Sequence, residues 1–312
     1  MILVTGSLAF DQIMDFPGKF SEHIMPDKIH MLNVSFLVEQ MRKGFGGTAG
    51  NIAYSLSLLG IRTELMGVVG ADFDTYREFL DKNEIGTTYL KTVNDFFTSN
   101  AFGITDSSDN QIWGFYSGSD VLSEQLSIFS VSDKIDFGVI APHNPRAMIK
   151  FAAEYQKAGI PYLFDPGMQL PWLTDHDLKA AFKGAKIIIG NDYEVGIMEK
   201  KTGIKLDAFI TENKIIITTL GEKGSLIASK ESRLQITPAQ VVRTSDPAGA
   251  GDAYRSGFLA GFLRNFPLKT CGQMGSLASV YTVEKYGTTT HFYTPSQFCR
   301  RYKENFGEDL KL

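Results

Sequence analysis

Short, almost wholly apolar runs alternate with helix-patterned stretches along most of the chain, and that alternation leaves few folds open. Ile2 to Gly6 is an apolar run ending at glycine and reads as a buried strand. Gly47 to Leu59 carries Ile52, Leu56 and Leu59 at helical spacing and stops at Gly60, a natural helix end. Arg62 to Val69 predicts a strand, and Phe73 to Leu80 a helix begun by Asp72. Phe137 to Ala141 and Tyr162 to Phe164 are strand-like, with a helix over Pro145 to Ala158 between them and Gly159 as its stop. Ile187 to Ile189 and Ile215 to Thr218 are β-branched runs of buried-strand character. Helices return at Ala250 to Phe266 and Thr270 to Lys285. Repeated strand–helix alternation predicts an α/β chain with a mostly parallel sheet covered on both faces. The 312 residues suit one large domain or a domain with a sizeable insertion.

Two stretches break the rhythm. Residues 13–43 and about 87–118 hold short β-like pieces, such as Asn100 to Ile104 and Gln111 to Tyr116, without crossover helices. Both are expected to leave the main sheet and pair as a small β lid. An exposed lid strand is suited to edge-to-edge pairing into a homodimer, although nothing in the sequence selects that state.

Composition removes several classes of function. Hydrophobic residues make up 43% and charged residues 21%, enough for an ordinary soluble core. The net charge of −4 argues against nucleic acid as a partner. Arg300, Arg301 and Lys303 form the one tight basic cluster and read as a solvated helix face. Cys271 and Cys299 cannot make a disulfide framework. The five histidines show no zinc-site spacing. No apolar run is long enough to span a membrane and the N-terminus does not read as a signal peptide, so the cytoplasm is the expected location.

Five segments could carry chemistry. The most informative is Asp246-Pro-Ala-Gly-Ala-Gly-Asp252, which leads into an apolar-periodic helix. A small-residue turn at a helix start leaves backbone N–H groups free beside the positive end of the helix dipole. That makes an anion site, which glycines let a phosphate approach closely. A carboxylate there would repel the anion unless it accepts a proton from an attacking hydroxyl, so Asp252 reads as a general base beside Gly249, Ala250 and Gly251. Its bland alternative is helix capping. The second segment is Gly44-Phe-Gly-Gly-Thr-Ala-Gly-Asn51, where Gly46 and Gly47 permit close approach of ligand hydroxyls and Asn51 can donate and accept. Gly44, Gly46 and Ala49 partly mimic a dinucleotide fingerprint, but the preceding Glu39 to Lys43 is not a convincing buried strand. The third is Asn191-Asp-Tyr-Glu194 after a strand, able to organise Mg²⁺ or simply to cap a helix. The fourth, Thr218-Thr-Leu-Gly-Glu-Lys-Gly-Ser225, is hairpin chemistry over which a nucleotide could lie. The last is Asp11, whose carboxylate can accept from two adjacent sugar hydroxyls or serve a turn. There is no P-loop run and no protein-kinase signature.

In this order the five segments resemble the ribokinase/PfkB family of carbohydrate and nucleoside kinases, over nearly the whole chain. The resemblance implies a three-layer α/β/α sandwich with a small β lid. It implies ATP along Thr219 to Gly224, including Gly221, and near Asn191. The anion hole maps onto Ala248 to Gly251 and the catalytic base onto Asp252. Substrate-hydroxyl ligands map onto Asp11, Gly46, Gly47 and Asn51, and the Mg²⁺-organising N-x-x-E onto Asn191 and Glu194, with the ion reached through water. Pro247 stands where the common family form has Thr, a form similar to the bacterial adenosine-kinase branch. Similar too are Phe16 to Glu22, Leu32 to Val38, Gly70 to Arg77 and Asp165 to Gln169. That branch implies a purine platform at Phe102 and polar nucleoside contacts at Ser7, Ser35 and Gln169, with Met168 where a second polar residue is expected. Core packing is the bland alternative for Phe102.

The expected activity is therefore ATP-dependent phosphorylation of the adenosine 5′-hydroxyl. A sugar kinase acting on ribose or fructose keeps the same chemistry. A sensor without turnover and a dinucleotide-dependent dehydrogenase are the rivals from other classes. A monovalent-cation requirement and the physiological phosphate donor are left open.

Overall fold

The computed structural model describes residues 1–108, 110–210 and 213–312. Among these, thirteen strands form two sheets. In chain order they are β1 (Ile2–Thr5), β2 (Ala9–Asp15), β3 (Gln40–Gly46), β4 (Thr63–Val69), β5 (Gly86–Thr92), β6 (Ser99–Thr105), β7 (Gln111–Tyr116), β8 (Phe137–Ile140), β9 (Tyr162–Phe164), β10 (Ile187–Asn191), β11 (Ile215–Thr219), β12 (Ser225–Ala228) and β13 (Arg233–Ile236). The helices are α1 (Phe20–His23), α2 (Thr48–Leu58), α3 (Asp74–Lys82), α4 (Pro145–Ala158), α5 (Asp175–Gly184), α6 (Asp192–Thr202), α7 (Ala250–Leu263), α8 (Leu268–Val283) and α9 (Pro295–Phe306).

The nine-stranded sheet runs β13-β12-β11-β10-β9-β8-β1-β4-β5. Its pairs are parallel from β11 through β5, and antiparallel from β11 to β13. Successive strand side chains point to opposite faces, so the isoleucine runs feed two cores at once. Ile187, Ile189, Ile215 and Ile217 pack under α2, α7 and α8. Ile188 and Ile216 pack on the other face with Phe151, Phe182 and Met198 from α4, α5 and α6. The expected three layers result. The Asn144 side chain caps α4 by accepting from Arg146 and Ala147 N–H, and Gly159 ends it in the left-handed region. Among the described residues no helix is long and apolar enough to cross a membrane.

The second sheet, β3-β2-β6-β7, is the lid. Its bounds differ from the sequence reading. The first excursion begins at Ala9 and runs to Gly46, because β2 and β3 pair along their whole length. The second begins only at β6. Gly86–Thr92 instead pairs parallel with β4 as the edge of the main sheet. An edge strand lacks a covering neighbour on one side and keeps polar residues such as Thr87, Thr88 and Lys91, so it carries none of the apolar continuity of a buried strand. The basic cluster is also corrected in part. Arg301 is not solvated: it pairs with Glu284 at 2.6 Å and lies over the Tyr281 ring.

Candidate active site

The site lies where the strand order reverses. From β1 the chain spreads to β4 and β5 on one side and to β8 through β11 on the other, and ligands of open α/β sheets bind beyond the carboxyl ends of the strands at such a reversal. Ser7 N–H donates to Pro142 O at 3.2 Å and Thr48 Oγ1 donates to the same oxygen at 2.8 Å. Ser7 Oγ accepts from Thr48 N–H at 3.0 Å. The Ser7 hydroxyl, expected on the nucleoside, thus already anchors the start of α2. Gly47 enters that helix at φ +85°, and a side chain there would fall 2.5 Å from Ser7 O. Only glycine fits.

Asp11, on β2, turns its carboxylate against Gly46. A methyl group on Gly46 would lie 2.1 Å from Asp11 Oδ2. Burial raises the Asp11 carboxyl to about 6, helped by the negative charges of Asp246 and Asp252. The Asp11 face of the lid is therefore the face turned to the Asp252 helix.

Gly249 opens α7 in the left-handed region, at φ 76°. Asp246 organises the turn before it: Oδ1 accepts from Ala248 N–H at 2.9 Å and Oδ2 from Gly287 N–H at 3.0 Å. Ala250 N–H reaches Pro247 O at 3.3 Å. Among the described residues the amides of Gly249, Gly251 and Asp252 have no partner. The expected anion hole over Ala248 to Gly251 is thereby narrowed, since the Ala248 amide is closed by Asp246. Asp252 is not a cap. It sits three residues inside α7, and its Oδ2 accepts from Asn51 Nδ2 at 2.8 Å. Part of its surface stays open, yet protein encloses it closely enough that desolvation raises its pKa against the opposing pull of Arg255 and Asn51. Asn51 Oδ1 is buried without a partner among the described residues.

Asn191 and Glu194 form a capping box on α6: Asn191 Oδ1 accepts from Glu194 N–H and Glu194 Oε2 from Asn191 N–H, each at 2.8 Å. The bland reading of this pair is realised, and it leaves Glu194 Oε1 available. Beside it, Thr219 pairs with Asn191 across β10 and β11 and with Ser225 across the hairpin, where Gly221 and Gly224 both have positive φ. Gly44 and Gly46 lie on the antiparallel lid strand β3 itself and do not follow a buried parallel strand, which removes the dinucleotide-fold alternative.

The lid register corrects Phe102. Paired residues share a face, and Phe102 pairs with Gln12, so it lies on the face opposite Asp11. It is also 40% exposed, which excludes core packing. The Asp11 face carries Ala101 and Gly103, then Phe115 and Trp113 opposite them on β7. The Trp113 ring lies directly over Gly103 and stacks with Phe115 at 6.0 Å. Ser35 is exposed and has no hydrogen bond among the described residues. Gln169 is half-buried in the turn after β9, its side chain without a partner among the described residues. The sequence reading met Arg255, Asp165 and Tyr76 inside family-like segments but gave them no role. Tyr76 donates to Gly46 O at 2.8 Å and lies beneath Asp11. Arg255 is spaced i,i+3 from Asp252 on one helix face, a signal that was there to be used. Two surface hollows, one at Tyr281 and Phe292 and one at Pro145 and Trp172, include none of these residues.

Comparison with known proteins gives the lineage. A nucleoside kinase of Methanothermobacter thermautotrophicus is 31% identical over 311 residues, covering 98% of this chain and 96% of its own. The structure of Burkholderia thailandensis nucleoside kinase in complex with inosine superposes with a TM-score of 0.88 at 33% identity, covering all of both chains. The nucleoside kinase of Methanocaldococcus jannaschii, an archaeal member of the ribokinase family, gives 0.88 at 27% identity, covering 97% of this chain and 98% of that one. The model of the pfkB family of carbohydrate kinases matches residues 8–295, and the chain belongs to that family of phosphotransferases.

Proposed function

We propose that the protein transfers the γ-phosphoryl group of ATP to the 5′-hydroxyl of a nucleoside, with adenosine as preferred acceptor. The observation that carries this reading is the Asn51–Asp252 hydrogen bond. It joins the helix that would hold the acceptor to the helix whose free amides would hold the phosphate. Asp252 takes the 5′-hydroxyl proton, the hydroxyl oxygen bonds to the γ-phosphorus, and the bond to the β-phosphate oxygen breaks to release ADP. The raised pKa of Asp252 brings it nearer the range of an effective base. The amides of Gly249, Gly251 and Asp252 stabilise the transferring group. Asp11 and Asn51 Oδ1 accept from the ribose hydroxyls. Trp113 and Phe115 face the base from the lid, and Gln169 offers its amide to the base edge. Thr219, Gly221 and Gly224 continue from Asn191 along the same sheet edge and receive the adenine nucleotide.

Glu194 is the protein group suited to Mg²⁺. Among the described residues no three His, Cys, Asp or Glu side chains gather to chelate an ion, and one free carboxylate oxygen suits an ion brought by phosphates with its waters. Bound there, Mg²⁺ would neutralise phosphate charge.

The deciding experiment is ADP release from ATP and Mg²⁺ with adenosine, inosine, other nucleosides, ribose and fructose, using Asp252→Asn as control. Turnover with adenosine above all others, lowered by ~10²–10⁴ in the variant, is expected. Preference for inosine would move the base assignment, and turnover on free sugars would discard it. Near-normal turnover of Asp252→Asn would remove the base.

A further inference from the structure

Behind the anion-hole turn lies a buried ion pair that the reaction as described does not use. Arg255 projects from the second turn of α7 and is 8% exposed. Its Nε lies 2.5 Å from Oδ2 of Asp165, which is 1% exposed at the carboxyl end of β9. The other end of the guanidinium abuts the turn: a methyl group on Gly251 would fall 2.6 Å from Arg255 Nη1. Three carboxylates act on this one cation, those of Asp165, Asp252 and Glu194. Asp165 Oδ1 and Arg255 Nε are both buried without a hydrogen-bond partner among the described residues, so the two groups are held by charge and not by an aligned hydrogen bond.

A buried ion pair is weak evidence for stability, because its desolvation offsets much of its attraction. Its position carries more information here. Asp252, with two further carboxylates acting on the same cation, would meet a polyanionic nucleotide. Such a cluster needs a fixed positive charge if Asp252 is to hold its place and the turn is to receive phosphate.

We propose that Arg255, anchored by Asp165, is a positioning residue for phosphoryl transfer: its guanidinium packs against Gly251 in the turn and offsets the charge around Asp252. This rests on Asp252 being the base. Because Arg255 lies behind the turn and away from the lid, its loss should act on turnover and spare nucleoside affinity.

The test compares Arg255→Gln, Arg255→Lys and Asp165→Asn with the unaltered enzyme and Asp252→Asn. Each is measured for kcat, KM for ATP, nucleoside affinity by calorimetry and thermal midpoint. Arg255→Gln is expected to lower kcat by about 10²-fold with nucleoside affinity within threefold. Arg255→Lys keeps the charge without the fork that spans Asp165 and Gly251, and should recover part of that loss. Asp165→Asn should lower kcat by about tenfold. If Arg255→Gln does not fold, Arg255→Lys decides: full activity overturns the proposal and a kcat loss at unchanged nucleoside affinity supports it. A fall in thermal midpoint with normal kcat in every folded variant also overturns it. Loss in Asp252→Asn beside normal Arg255 variants would remove this inference alone. Normal turnover in Asp252→Asn would remove the base reading and this one with it.

Discussion

Gly46→Ala tests the acceptor side of the site by a contact the structure makes quantitative. Gly46 does not have positive φ, so alanine adds no backbone strain. What it adds is a methyl carbon 2.1 Å from Asp11 Oδ2, 2.7 Å from Cγ and 2.9 Å from Oδ1. A carbon–oxygen contact relaxes to about 3.3 Å, so the carboxylate must retreat by about 1.2 Å. Tyr76 holds Gly46 from behind by its hydrogen bond to the carbonyl, which leaves the Asp11 side chain as the part that moves. A misplacement of about 1 Å in a positioning group costs about 10²-fold, or about 2.7 kcal/mol of transition-state stabilisation.

The assay is kcat/KM for the nucleoside in Gly46→Ala, Asp11→Ala and the double variant, with thermal midpoints alongside. Both single variants should lose about 10²-fold. The double variant should lose little beyond Asp11→Ala, because the methyl acts only through the displaced carboxylate. A Gly46→Ala enzyme within threefold of the original would refute the reasoning. So would losses that multiply in the double variant, since the methyl would then be acting on something other than Asp11.

The lid face gives a second prediction: Trp113→Ala and Phe115→Ala should each weaken nucleoside binding by about 1–3 kcal/mol and leave ribose binding unchanged, while Phe102→Ala moves neither, all read as dissociation constants. Nucleoside binding to Asp252→Asn should weaken on acidification as Asp11 gains a proton and loses acceptor capacity, at a pH below the about 6 of the unaltered protein because the Asp252 charge no longer helps raise it; calorimetry down the acid range should show the slope in this protein and none once Asp11→Asn is added. The same raised pKa fixes the sign for stability: Asp11 favours the folded state fully below its ordinary 3.8 and that contribution is lost as pH rises to about 6. Asp11→Asn should therefore melt above the unaltered protein at pH 7.5, with the gap closing towards pH 4. Glu194→Gln should raise the Mg²⁺ concentration for half-maximal ADP release, and Glu194→Ala should additionally lower stability by about 1 kcal/mol as the capping box opens.

What could be read in the sequence is what depends on neighbours along the chain. Buried strands such as Ile187–Asn191 and Ile215–Thr219 announce themselves because both faces of a covered parallel sheet are apolar. The turn before Asp252 announces itself because glycine and alanine at a helix start leave amides free. Gly86–Thr92 was missed for the converse reason: this edge strand keeps polar residues such as Thr87, Thr88 and Lys91, and its membership of the main sheet is decided by β4, not by its own pattern.

The errors at the site share a deeper cause. The resemblance puts the purine platform at Phe102, an aromatic residue on a lid strand, but which face it takes depends on register, and one step along a strand moves every side chain to the other side. The pairings Asp11 with Ala101 and Gln12 with Phe102 settle that face, and they join segments with the three helices α1 to α3 and the three strands β3 to β5 between them. Arg255 is the same case in charge. Three residues from Asp252 it looks like one more polar position on a helix, until the fold brings Asp165 from the end of β9 to meet it. Residue types and local spacing can nominate a base, an anion turn and a cap, because each is made within a few residues. The direction a lid side chain faces, and the counter-charge a buried carboxylate requires, come from segments that meet only after the sheet has formed. Substitutions at Trp113, Phe115, Arg255 and Asp165 therefore probe the part of the site that the chain's local pattern leaves unwritten.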